Sequence, residues 1–362
     1  MCRQIFAGVF CMLFALGAGG HEAVQKPVLD AHLLPLGDGK ISAAPRRGYV
    51  YACKSSFRGA GAQHVGNWIH GSTWDETQKI YVQGDVSWPE AFLSISENNN
   101  QRLITGNALP GDHASGIFPV RRLDPAFQID RNPNAIAAQV ISLALPRIPV
   151  FANESSCLPM GMVGISLGGV PFFNALDDAG RDAVAHEVQD HCNGHPQHDG
   201  EYHYHGPSAC LKAMTKNNVL IGYALDGFGI YSMYDEQGKE LTNNDLDECH
   251  GRVSRILWEG KSIAMYHYVL TREYPYTIGC FRGAATSVQS PQHRAGTQGN
   301  ASASQAENGR HPGRHRPPDE ALRACAGVSS GRACSFVSRR GDTISGICQS
   351  PAGELACLPQ QR

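Results

Sequence analysis

The sequence predicts a mainly β fold: one large antiparallel, sandwich-like domain with many loops, then a small disulfide-stapled β module at the C-terminus. Three observations carry this expectation. Glycine and proline are abundant, at 40 and 21 of 362 residues, while charged residues make up only 18%, a balance that favours turns over long helices. Short apolar runs recur between turn dipeptides such as Asn-Gly, Asp-Gly and Gly-Gly. The 12 cysteines include four packed into the last forty residues or so, where a core alone is too small to fold without staples. Hydrophobic content of 42% supports a sizeable core, and the formal net charge of -2 gives no global basic field. Nucleic acid is therefore not an expected partner.

Residues 1–20 read as a signal peptide. Arg3 precedes an apolar run from Ile5 to Leu16, and small residues at Ala18 and Gly20 suit cleavage before His21. The run is too short for a membrane span. Removal takes away Cys2 and Cys11 and leaves ten cysteines in a chain bound for an oxidising compartment, so disulfides are expected. Proximity in sequence suggests Cys192–Cys210, Cys249–Cys280 and two bridges among Cys325, Cys334, Cys348 and Cys357, which leaves Cys53 and Cys157 to pair. Secretion or a periplasmic location follows.

Residues 21–48 form an irregular lead-in, and strands begin from Tyr49. Lys79–Gly84 is a strand candidate. Ala91–Ile95 and Arg102–Thr105 flank the turn Glu97–Gln101 as a hairpin. Residues 106–135 are loop-rich, with an isolated His113. Gln139–Leu145 and Met162–Leu167 read as strands. The second contains Gly164-Ile165-Ser166-Leu167-Gly168, which matches the G-x-S-x-G nucleophile elbow. Gly168-Gly169 and Pro171 after it favour a β-hairpin instead of the required strand–turn–helix. Asp182–Val188 fits a short helix or a strand. Val219–Leu225 and Ile230–Tyr234 form a second hairpin. The acidic run 235–248 lacks EF-hand spacing and reads as a solvated loop, with Asp247 or Glu248 placed to orient a nearby histidine.

Five of the 16 histidines fall within Asp190–Gly206, a stretch that ends Tyr202-His203-Tyr204-His205-Gly206. On a strand His203 and His205 share one face, with Cα atoms about 7 Å apart. Two such imidazoles can turn towards one ion, since Zn–N bonds are about 2.0–2.1 Å. The preceding turn-rich loop can fold His191 and His195 back over the strand. His250 and His267 form a second tier of metal ligands, and His186 and His198 a third. Imidazole-rich sets suit Zn or Cu equally. The competing reading is packing, with the imidazoles held by Asp190, Asp199 or Asp226.

Asp190-x-Cys192-x-Gly194-His195 followed by Tyr202-His203-Tyr204-His205 resembles the YHYH domain family. The resemblance continues through Gly222–Tyr231, Leu246–Gly251 and Tyr266–Tyr268 to Tyr274–Gly283, about half of the chain. It implies a secreted, β-rich domain over 49–283 and implies no activity. Within it, Cys192 and Tyr202-His203-Tyr204 recur as Cys249 and Tyr266-His267-Tyr268, at cysteine-to-tyrosine spacings of 10 and 17. Two similar strand–loop units are expected, with His250 and His267 facing the first histidine set. Arg252, where a histidine is usual, and Val269, at the end of the second motif, argue against a complete second metal shell.

Residues 284–321 read as a disordered linker, because no Val, Ile, Leu, Phe, Tyr or Trp occurs between Val288 and Leu322. His293, His311 and His315 are scattered there, and Arg310, Arg314 and Arg316 give a mild basic patch. Residues 322–362 form the four-cysteine module, similar to small tails on other bacterial secreted proteins. A zinc ribbon is disfavoured because CxxC pairs are absent. A cell-surface contact through the linker or the module is the expected use.

Two classes of function stand: a secreted metal-binding module without turnover, for sequestration, adhesion or support, or a metal-dependent hydrolase or copper redox enzyme. A structural or adhesive protein without metal is the third possibility. A filled coordination shell favours binding. Three histidines with an open position favour catalysis. The sequence assigns no catalytic residue.

Overall fold

A computed structural model describes residues 29–57, 59, 61–211, 213–214, 216–287, 319–326, 328, 332–337, 343–349 and 355–359. The expected leader, and most of the expected linker with its three histidines and three arginines, lie outside the described residues. The chain divides into two units, Met1–Arg294 and Ala295–Arg362.

The larger unit is built on an eight-stranded sheet. Its strands are β5 (Met162–Ser166), β6 (Pro171–Phe173), β7 (Gly194–Pro196), β8 (Tyr202–Tyr204), β9 (Leu220–Ala224), β10 (Gly229–Tyr231), β11 (Gly251–Trp258) and β12 (Lys261–Val269). They lie in the order β7-β8-β6-β5-β9-β10-β12-β11. Most pairs are antiparallel, but β6–β8 and β10–β12 are parallel. Strand order and pairing read the same from either edge. β5 and β9 form the central pair, with Gly164 opposite Ala224 and Ser166 opposite Gly222. β5, β6 and β8 are buried throughout, as a strand covered on both faces requires.

A second sheet, β1 (Leu93–Glu97), β2 (Gln101–Gly106) and β3 (Ile141–Pro146), is the expected hairpin with one further strand. Ile104, Ile141, Leu143 and Leu145 enter the same core as Ile165, Ile221 and Ile230. Arg102 is buried between the sheets, its guanidinium 4.1 Å over the Tyr223 ring and 3.0 Å from Glu259 Oε1. β4 (Phe151–Ser156) pairs with β13 (Phe281–Gly283). The mainly β expectation holds, with the parallel joins as the feature that short-range patterning did not reveal.

Three local expectations are corrected or refined. Gly164–Gly168 belongs to the β5–β6 hairpin, and the Ser166 hydroxyl oxygen is buried, accepting from the Val170 amide at 3.1 Å. No nucleophile elbow forms. Lys79–Gly84 is no strand: Val82 makes a single bridge to Asp190, because the Lys79 side chain turns inward to the Val184 carbonyl and the Gln189 amide oxygen. Asp182–Val188 resolves into the short helix α1 (Ala183–His186), capped by the Asp182 carboxylate on the Ala185 amide at 3.2 Å. Leu34 and Leu36 pack under this helix with Trp68, Trp74, Val82, Ala185 and Val188, so part of the lead-in is a wall of the domain.

Three disulfides staple this unit: Cys53–Cys157, Cys192–Cys210 and Cys249–Cys280. The smaller unit contains α2 (Asp319–Arg323) and the antiparallel sheet β14 (Ala333–Val337), β15 (Thr343–Gln349), β16 (Ala356–Pro359). Cys325–Cys348 and Cys334–Cys357 hold it together, so none of its four thiols is left for zinc. Among the described residues no helix is long and apolar enough to cross a membrane.

The central pair generates a prediction. A Cβ on Gly222 would sit 2.3 Å from the Ile165 carbonyl oxygen, and backbone cannot swing aside. Gly222→Ala is expected to cost about 3 kcal/mol or more by forcing β5 and β9 apart. Gly111→Ala, whose nearest neighbour would be the Ala91 methyl at 3.5 Å, is expected to stay within about 1 kcal/mol. Urea denaturation of both variants checks the contrast.

Candidate metal centre

β7 and β8 form a hairpin that sets His195 directly opposite His203. His205 follows β8, two residues on, and returns to the same face. The ligand-capable atoms of His195, His203 and His205 all lie within 4.8 Å of one another. All three side chains are buried. Burial holds the His195 and His203 imidazoles well below their usual pKa, with the neighbouring histidines adding to it, and burial brings His205 down to about 4. They are therefore neutral rings, the liganding form.

The backbone fixes which nitrogen faces inward. His203 Nδ1 lies 3.0 Å from the Glu201 carbonyl oxygen and His205 Nδ1 lies 2.6 Å from that of Asn174. A carbonyl only accepts, so each Nδ1 carries the proton and each Nε2 presents a lone pair. The two Nε2 atoms face each other at 3.1 Å, where neither has a hydrogen to give. Tetrahedral ligands on bonds of about 2.0–2.1 Å sit about 3.3 Å apart, so the spacing suits two atoms sharing one ion. Neither ring nitrogen of His195 has a hydrogen-bond partner among the described residues. The Phe173 ring stacks on His203 with centroids 3.8 Å apart and stiffens the set.

Glu187 is the site residue that sequence reading missed. Its Oε2 is buried without a hydrogen-bond partner, 3.5 Å from His195 Nε2 and 3.4 Å from His205 Nε2. Burial pushes its carboxyl well above the usual range, Asp130 and Asp177 push it further, and the Lys79 ammonium opposes them. Glu187 is placed by α1, whose Ala185 carbonyl accepts from Trp68 Nε1 at 2.8 Å. The only sequence signal was the Asp182 cap that starts the helix. The three histidines and Glu187 line one open cleft of about 1780 Å³.

The other candidates are elsewhere. His191 is exposed beside Cys192 and Cys210, whose sulfurs are joined to each other and offer no thiolate. His186 Nε2 contacts Asp38 at 2.9 Å, and the exposed His198 contacts Asp199 at 2.8 Å. His250 and His267 belong to the β11–β12 half and do not face the first set. β8 and β12 lie five strand spacings apart, about 24 Å. Neither Asp247 nor Glu248 orients a histidine: Asp247 accepts from the Cys249 and Gly251 amides and the Tyr266 hydroxyl, and Glu248 meets Arg282. The packing partners proposed for the imidazoles also bond elsewhere, Asp190 to Tyr202 and Asp226 to Tyr268.

His250 generates a prediction of its own. Thr271 Oγ1 donates to the Glu273 carbonyl, so it accepts from His250 Nε2 at 2.9 Å. Nδ1 is left buried without a partner, and burial pulls the imidazole down to about 3. The unfolded chain, near 6.5, takes the proton first, so this group's contribution to stability falls as pH drops from about 6.5 towards 3. His250→Asn keeps a side chain that tolerates the positive φ of 71°. Between pH 7 and pH 5 the variant is expected to lose about 2 kcal/mol less stability than the parent. Urea midpoints of metal-free protein at the two pH values check this.

No curated protein and no solved structure matches the chain. One family does: the model of the YHYH protein family matches residues 142–243. That span runs from β3 into the acidic run after β10, and it holds Glu187 and all three clustered histidines. It ends before the second half's Cys249, Arg252 and His267. The chain thus carries a YHYH domain, centred on the half of the sheet that assembles the histidine triad.

Proposed function

We propose that this is an exported metal-binding module in which His195, His203 and His205 hold one Zn²⁺ or Cu²⁺ at the wall of the cleft, with Glu187 beside it. The observation that carries the reading is the pair of Nε2 lone pairs 3.1 Å apart, each locked inward by a backbone carbonyl on its own Nδ1. Two buried acceptors at that distance repel unless a cation lies between them. Carbonyl partners of this kind are the usual outer shell of a metal-bound imidazole. Export is supported by the leader-like residues 1–20 and by five disulfides.

The test is metal content and calorimetric affinity of protein purified without a histidine tag. His195→Ala, His203→Ala and His205→Ala are each expected to weaken binding more than about 100-fold, beyond the 10–100-fold range of outer-shell changes. His198→Ala, an exposed side chain, should bind as the parent does. His113 is unsuited as a control, because its Nε2 lies 3.2 Å from the Tyr204 hydroxyl on the back of the same strand. A parent protein that takes up neither metal at micromolar concentration would sink the reading.

A second reading, metal-dependent hydrolysis, rests on the cleft. Three histidines lining the cleft leave a coordination position for water, and Glu187 stands close enough to take a proton. Zinc-dependent hydrolysis of an activated ester, lost in Glu187→Gln, is the outcome that would favour it over binding alone.

A further inference from the structure

The two halves of the eight-stranded sheet repeat each other at a series of equivalent positions, although the second histidine hairpin is longer. Gly169 and Gly227 turn their hairpins at φ of 90° and 88°. Asp177 accepts from the Ala179 and Arg181 amides, as Asp235 does from Gln237 and Lys239. Asp190 accepts from the Cys192 and Gly194 amides and the Tyr202 hydroxyl, and Asp247 from Cys249, Gly251 and Tyr266 in the same way. Asn193 and His250 both hold positive φ. His203 Nδ1 meets the carbonyl two residues back at 3.0 Å, and His267 Nδ1 does so at 3.1 Å. Phe173 stacks on His203, and at the equivalent position Tyr231 meets the His267 ring edge-on.

The correspondence fixes what stands in the triad's place. Arg252 faces His267 across the hairpin as His195 faces His203. Val269 follows Tyr268 as His205 follows Tyr204, and it sits in a small apolar cluster with Leu241 and Leu246. The Arg252 guanidinium lies 3.9 Å from Glu236. One imidazole and its carbonyl support survive, two ligand positions are gone, and a permanent cation occupies one of them.

We infer that the second half is a duplicate of the metal-binding half in which the guanidinium of Arg252 has replaced the metal's charge, and that Arg252→His with Val269→His converts it into a second site for Zn²⁺ or Cu²⁺. This rests on the proposed reading of the first half, and the readout separates the two. Elemental analysis and calorimetry of full-length protein should give one equivalent of Zn²⁺ for the parent and two for Arg252→His/Val269→His. Where the parent holds one equivalent, a folded double variant that also holds only one overturns the inference. If burying a second imidazole at 269 prevents folding, Arg252→His alone decides, since it leaves the apolar cluster intact. A second, weaker equivalent at that hairpin, lost again in Arg252→His/His267→Ala, supports the inference, and none overturns it. A metal-free parent beside a double variant with one equivalent would overturn the reading of the first half while supporting this one. Metal in neither protein overturns both.

Discussion

The close approach of β5 and β9 is the constraint on which the architecture rests. Neither Gly164 nor Gly222 has room for a side chain, because the opposite backbone occupies the place where a Cβ would stand. Steric exclusion on both sides of one seam lets two like units share a single sheet back to back. Every other strand is then placed by its distance from the seam. Each unit adds its hairpin mate, crosses over through a turn and returns with a parallel strand bearing a Tyr-His-Tyr sequence. The two histidine strands therefore end near opposite edges of the sheet.

Within each unit, carboxylates that are buried or half-buried hold the structure together. Asp190, Asp226 and Asp247 each take a tyrosine hydroxyl and at least two backbone amides. Hydrogen bonds to charged acceptors are stronger than neutral ones, and a buried carboxylate without them would be costly. This division of labour explains why the alternation in Tyr202–His205 matters. The tyrosines turn to the side holding Asp190, and the histidines turn to the cleft, where Glu187 is the carboxylate beside them. The first face is a packed hydrogen-bonding network. The second is a set of acceptors and rings whose needs the protein does not meet by itself.

The cleft wall brings together parts of the chain that are remote in sequence. Trp68 and Lys79, from the region ahead of the first hairpin, bond to the turn around α1 and so set the position of Glu187. Burial pulls the Lys79 ammonium down to about 8, against the attraction of Asp182 and Glu187. The Lys79 charge in turn opposes the effect of burial on the Glu187 carboxyl. The residues facing the cleft are thus supported from behind by side chains of a different segment.

Much of this was legible in the sequence. The hairpins at 93–106, 162–173 and 220–231, three of the disulfide pairs, the shared face of His203 and His205, and the repeated Cys and Tyr-His-Tyr units all follow from periodicity, turn residues or spacing, while the pairing of the four C-terminal cysteines came only with the structure. These are local signals, carried by neighbours within one or two strands. Which histidines meet was decided only by tertiary structure. His191 and His195 lie four residues apart in one loop, yet the β7–β8 register turns His195 inward and leaves His191 exposed beside a disulfide. His250 and His267 carry the same local pattern as the first set but belong to the far side of the central seam. Glu187 had no local signal beyond the Asp182 cap, since its place depends on Trp68, Lys79 and that capped turn of helix. Strand alternation is a property of the backbone and can be read from composition along the chain. Convergence at a point depends on register and sheet order, which long-range packing sets.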